Sequence, residues 1–176
     1  MKEKWMHHLE RRILSGVVLL LLISTGCGGA IGTTDVGFRK AYEQINTNAL
    51  LDDQYSATSK NVLQRYNMGE SFKEDPLKCL NELHQKIRTD NRRDLLFALS
   101  ELNYFTAEHT MKGLDGSPLP ENRQYYLNAA IYAYFYLFDN TRNKPADSFD
   151  RRFRLACDIY NIALAQSLTN FKGRLI

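Results

Sequence analysis

Few residues of this 176-residue chain combine the type and spacing that chemistry needs. Cys27 is the first, a thiol directly behind the small residues Ser24-Thr25-Gly26. Glu101, Glu108 and His109 are metal-ligand types, but ligands on a helix must share a face, and these three only partly do. They read as a solvated helix end, and no metal site is expected. His84, on the apolar side of its segment, reads as a hydrogen-bonded core residue. Arg151, Arg152 and Arg154 could hold a phosphate or a lipid headgroup. They stand in the first turn of a helix, where the dipole disfavours cations, and that misfit points to a salt bridge or partner contact, for instance Arg154 with Asp158 at i+4. Asp158 and Asn161 flank Tyr160 and, if turned inward, need partners, because an unpaired buried polar group costs about 1–3 kcal/mol. A polar network joining them to the tyrosines of the preceding helix is the expected account. No catalytic residue and no cofactor is indicated.

The surroundings of Cys27 give it a role. Met1–Arg12 carries four basic residues against two acidic ones, and Ile13–Ile23 is a mainly apolar run of eleven residues. About 20 apolar residues are needed to cross a bilayer, so this run is too short to be a transmembrane helix. A basic start, a short apolar stretch and small residues mark an export signal. Ser24–Cys27 resembles the bacterial lipobox, with Ser24 where leucine is commonest. The resemblance implies cleavage between Gly26 and Cys27, acylation of Cys27, and attachment to a membrane of the cell envelope. Gly28, in place of an acidic residue, implies the outer membrane, facing the periplasm.

Residues 1–26 account for four of the 23 Lys and Arg and two of the 20 Asp and Glu, so the remainder carries a net charge of +1. That balance provides no extended basic field, and no nucleic-acid partner is expected. The 150 remaining residues suffice for one ordinary core. Cys79 and Cys157 both lie in helical apolar patterns, where a free thiol is a common small core residue, although export would permit a disulfide.

The elements that must position these groups are helical. Residues 27–53, with Gly28, Gly29, Gly32 and Gly37, read as an acylated tether. Residues 54–172 form the helical domain, with about five helices predicted. The first spans Ala57–Tyr66 behind Ser56 as N-cap, and the second runs from the Asp75-Pro76 start to about Arg88. The third runs from Asp90 to about Met111 on a Leu95/Leu96/Leu99/Leu102/Phe105 stripe. The fourth, Glu121–Phe138, is apolar on all sides, which predicts a central helix. Its Ala129, Ala130 and Ala133 would allow close helix approach. The fifth spans about Asp150–Asn170. Short, breaker-containing connections predict an all-α stack of antiparallel hairpins, comparable to tetratricopeptide pairs but without a fixed repeat step.

Three segments, Leu95–His109, Gln124–Phe138 and Phe149–Leu168, are similar to the N-terminal helical region of bacterial lipoproteins that carry an α/β-hydrolase domain of the esterase/lipase type. The last, with its Arg-rich start, Ala156-Cys157-Asp158 and Tyr160-Asn161, is the most specific. Ser56–Tyr66 and Asp75–Leu83 follow the same order. Such hydrolases need a G-x-S-x-G nucleophile elbow, and this chain contains none, so no catalytic role carries over. Gly173–Ile176 would read as the truncated start of a following domain. Two functions are therefore expected. One is a non-catalytic, lipid-anchored helical module of a serine hydrolase, whose missing domain is its partner. The alternative is a stand-alone helical lipoprotein acting as a protein-interaction or scaffold module.

Overall fold

Helix starts and stops along the chain follow local chemistry closely. The computed structural model describes residues 37–38, 41–42, 46–109, 121–141 and 145–168. All of these lie in the unit Gly37–Ile176; Met1–Val36 is a separate unit outside the described residues, and with it Gly26 and Cys27. Six helices are described: α1 (Ala57–Arg65), α2 (Gly69–Glu74), α3 (Pro76–Lys86), α4 (Arg93–His109), α5 (Asn122–Phe138) and α6 (Arg151–Leu168). Among the described residues there is no strand, and no helix is long and apolar enough to cross a membrane. The fold is all-α, as expected.

Ser56 caps α1 by accepting the Ser59 N–H. The helix ends at Asn67, whose φ of 57° places it in the left-handed region that asparagine tolerates better than most residues. Met68 N–H then bonds Leu63 O at 2.7 Å and Asn67 N–H bonds Gln64 O at 2.9 Å, the two reversed bonds of a Schellman ending. Both Leu63 and Met68 are buried in the same cluster, so the stop signal also delivers an apolar contact. Directly behind it comes α2, a sixth helix beyond the five expected. Six residues with a single buried anchor, Phe72, are too few to show a helical period. Asp75 accepts the Lys78 N–H at 3.0 Å and Pro76 occupies the first turn of α3, as predicted.

Helix α4 begins three residues later than the sequence suggests. Asp90 binds the Arg92 N–H at 2.9 Å and the Arg92 guanidinium, and accepts the Tyr66 hydroxyl, making a turn ahead of the helix. The Arg92 pairing holds the Asp90 carboxyl well below its usual range.

The central helix is α4. Twelve of its seventeen residues are buried, and it packs against α1, α3, α5 and α6. This corrects the expectation for α5. Leu127, Ile131, Tyr134, Phe135 and Phe138 of α5 are 42–55% exposed, so it buries only one side. Apolar composition all round does not say which side finds a partner, and the polar residues of α4 hid its central position.

Pairings along α4 and α5 run in opposite directions: Phe97 stacks edge-on with Tyr136, Ser100 Oγ donates to Ala129 O at 3.0 Å, and Tyr104 meets Tyr126. Helices α5 and α6 are also antiparallel, with Arg123 reaching Ser167 O and Tyr134 lying 6.3 Å from Tyr160. Ala129, Ala130 and Ala133 pack with Ala107, Ile159 and Ala163, the close approach their small side chains allow. At the C-terminal end of α5, Arg93 donates to Tyr136 O and to Asp139 O, supplying donors and positive charge where the last carbonyls lack both. Cys79 and Cys157 are free thiols.

Replacing fully buried Leu99 with Ala should lower unfolding free energy by about 2–5 kcal/mol through lost burial and a cavity. The same change at half-exposed Leu127 should cost under about 1 kcal/mol, and urea denaturation of the two variants measures the contrast.

Candidate functional site

The polar site of the molecule is built around Glu101. This carboxylate is fully buried in the middle of α4. It accepts four hydrogen bonds: from Ala49 N–H at 3.2 Å, Ser56 N–H at 2.9 Å, Ser56 Oγ at 2.6 Å and Ser59 Oγ at 2.5 Å. All the donors lie 42–52 residues earlier in the chain, in the approach to α1 and its first turn. None is a cation. Burial outweighs these bonds and raises the Glu101 pKa above its ordinary value.

Glu101 thereby fastens a segment that the sequence reading assigned to the tether. Ala49 is buried within the α4–α5–α6 cluster, and Tyr55 packs edge-on against both Phe72 and Phe105. The expected tether boundary at residue 53 therefore moves ahead of Ala49. The reading of Glu101 as part of a solvated helix end is corrected too. The missed signal was the pair Ser56 and Ser59, which reach one carboxylate because a helix cap and its first turn share a face.

Glu108 and His109, the other two residues of that reading, go elsewhere. Glu108 accepts the Tyr126 hydroxyl at 2.7 Å. Burial first, and then this carboxylate, push the Tyr126 pKa far up. His109 packs on Phe105 with ring centroids 4.3 Å apart. No group of metal-binding residues assembles among the described residues. His84 is exposed, not a core residue, because its position faces outward beside buried Leu83; its Nδ1 lies 2.5 Å from the Tyr132 hydroxyl.

The arginines at the start of α6 do find a carboxylate, though not the expected one. Asp150 accepts the Arg152 N–H at 2.9 Å and Arg152 Nε at 2.7 Å. A cap-position acid thus relieves the misfit between a cationic first turn and the helix dipole, and Arg152 in return lowers the Asp150 pKa. Arg154 and Asp158 are both exposed and form no ion pair. With the basic residue N-terminal, theirs is the weaker i,i+4 orientation. The inward network through Asp158 and Asn161 does not form either. Both are exposed; only Tyr160 turns toward α5, where its ring meets Tyr134. Cys27 and Gly26 lie outside the described residues.

The second surface of interest is apolar: Leu127, Ile131, Tyr134, Phe135 and Phe138 make a stripe along α5, with rings of Tyr134 and Phe138 5.1 Å apart. No protein-family model matches the chain, and no curated protein or solved structure matches it either.

The titration of Glu101 has a definite sign. A carboxyl whose pKa is higher in the folded state binds its proton more tightly there, so its stabilisation is complete below the ordinary value of 4.5 and is lost as pH rises through the raised pKa. Glu101→Gln should abolish that decline: its amide oxygen keeps the two backbone donors and its NH₂ meets serine hydroxyls that can turn to accept. Glu101→Ala strands the Ala49 and Ser56 N–H groups and should cost several kcal/mol, at about 1–3 kcal/mol for each unmet group. Urea midpoints of wild type and both variants from pH 4 upward test this, and a flat difference between wild type and Glu101→Gln would refute the assignment.

Proposed function

We propose that the chain is a lipid-anchored, non-catalytic helical module that presents the apolar face of α5 to a second protein domain. Residues 1–26 direct export, Cys27 is acylated, and the helical unit stands at the outer membrane on the periplasmic side. The observation that carries the docking part is the stripe itself. Five large apolar side chains, three of them aromatic, are 42–55% exposed in one row along a single helix, whereas the other exposed large apolar residues, Phe38, Tyr42, Leu51, Phe149, Ile162 and Leu168, lie on other segments. Aromatic residues dominate the energetics of protein contacts, and a contiguous exposed apolar patch is the usual mark of one.

The occupant we propose is a globular domain of the α/β-hydrolase type. The three segments that resemble the N-terminal region of such lipoproteins coincide with α4, α5 and α6. Those helices form the antiparallel group on which the stripe lies. Cys27 supports the anchoring part: each acyl CH₂ buried in lipid contributes about 0.8 kcal/mol, and two or three chains make attachment effectively permanent.

Cys27→Ser should shift the protein from the membrane pellet to the soluble fraction by at least about tenfold, and unchanged fractionation would remove the anchor. A photo-crosslinking residue in place of Phe135 should form a defined adduct with a hydrolase-domain polypeptide, and one in place of exposed Glu82 should not. An adduct at Phe135 with a different envelope protein would favour the stand-alone interaction module. Labelling of lipid alone would contradict docking.

A further inference from the structure

A cleft of about 570 Å³ opens between residues 46–58 and the start of α6. Asn48 and Leu50 line one side, Arg151, Arg154 and Leu155 the other, and fully buried Phe97 closes the base. We propose that this cleft binds a small organic anion, with a carboxylate, phosphate or sulfonate head on a compact apolar body.

Charge decides the head group. Three guanidinium groups, Arg151, Arg152 and Arg154, border the cleft against a single carboxylate, Asp158. Asp150 occupies Arg152. Arg154 has no hydrogen-bond or ion-pair partner among the described residues, so its planar set of donors is open to a two-pronged contact with an incoming oxyanion. Asp158, one helical turn further on, disfavours a second negative charge and offers an acceptor to a hydroxyl or amine on the ligand.

The walls decide the body. Leu50, Leu51 and Leu155 give the cleft its apolar surface, and Asn48, Ser56 and Thr58 add uncharged polar groups to the wall facing the arginines. Small-molecule sites of about 300–1,000 Å³ have this character. The wall formed by residues 49–56 is also set in advance, because Glu101 holds its two ends through Ala49 N–H and Ser56 N–H. A ligand therefore meets a formed site and loses little binding energy in ordering it.

Calorimetry on the full-length chain in lipid nanodiscs, with empty discs as the reference, tests the site. The probes are naphthalene-2-sulfonate, the neutral 2-naphthalenemethanol and inorganic sulfate. The sulfonate should bind saturably at one site per chain, and the alcohol and sulfate each at least about tenfold more weakly, since neither supplies both head and body. Arg154→Gln should weaken the sulfonate about tenfold, Arg154→Lys should restore part of the loss, and Asp158→Asn should tighten binding a few fold. Both positions are exposed, and unchanged helical circular dichroism verifies that the variants fold. Absence of saturable heat, equal binding of the alcohol, or an unchanged Arg154→Gln would each overturn the proposal.

Discussion

A carboxylate sealed inside a helix bundle with no cation beside it is expensive, and the structure is organised around meeting that expense. Taking an isolated charge out of water costs far more than any single hydrogen bond returns, so Glu101 is tenable only where donors converge on it. Four do. Two of them, the N–H groups of Ala49 and Ser56, come from backbone at either end of an irregular segment. The two hydroxyls come from the cap and the first turn of α1. The requirement of one side chain therefore fixes where the chain enters the domain, where α1 begins, and where Tyr55 sits between Phe72 and Phe105.

That constraint explains why α4 can be central although its sequence is less apolar than that of α5. Ser100 and Asn103 are likewise buried in α4, and each spends its donor on a helix carbonyl, Ala129 O and Leu99 O. A helix that satisfies most of its polar groups internally or across a packed interface can be enclosed, although Thr106 Oγ1 of α4 is buried without a hydrogen-bond partner. A helix that is merely apolar can be left with one side uncovered. Helix α5 takes the second course: its alanines face α4 and α6, and its large residues divide between the core and the surface.

Helix positions, caps and the antiparallel order were legible in the residues because their causes are local. Asp75-Pro76 begins a helix and Ser56 caps one wherever the rest of the chain lies. The alanine positions of α5 and the leucine stripe of α4 were readable for the same reason, since period and side-chain size are properties of one segment. What escaped was non-local or too short. The partner of Glu101 lies 45 residues away at Ser56, and no spacing rule connects them. Helix α2 is shorter than two turns. The carboxylate for the α6 arginines was sought one turn inward at Asp158, whereas the cap position supplied Asp150. Asp158 and Asn161 face outward, and the tyrosine network expected of them does not form; Tyr160 alone of the three meets a tyrosine of α5, Tyr134.

The two surfaces left open by this packing differ in what they can recognise. The α5 stripe is flat, aromatic and continuous along a helix, suited to another polypeptide that can cover it. The cleft beside α6 is concave, with three arginines along one wall, and is suited to a ligand that enters it. Both rest on Glu101 in different degrees. The α5 face depends on the α4–α5 contact through Ala129 and Tyr126, which survives if the entering segment loosens. One wall of the cleft is that segment itself. Loss of the carboxylate would thus separate the two surfaces, opening the cleft while leaving the α5 face in place.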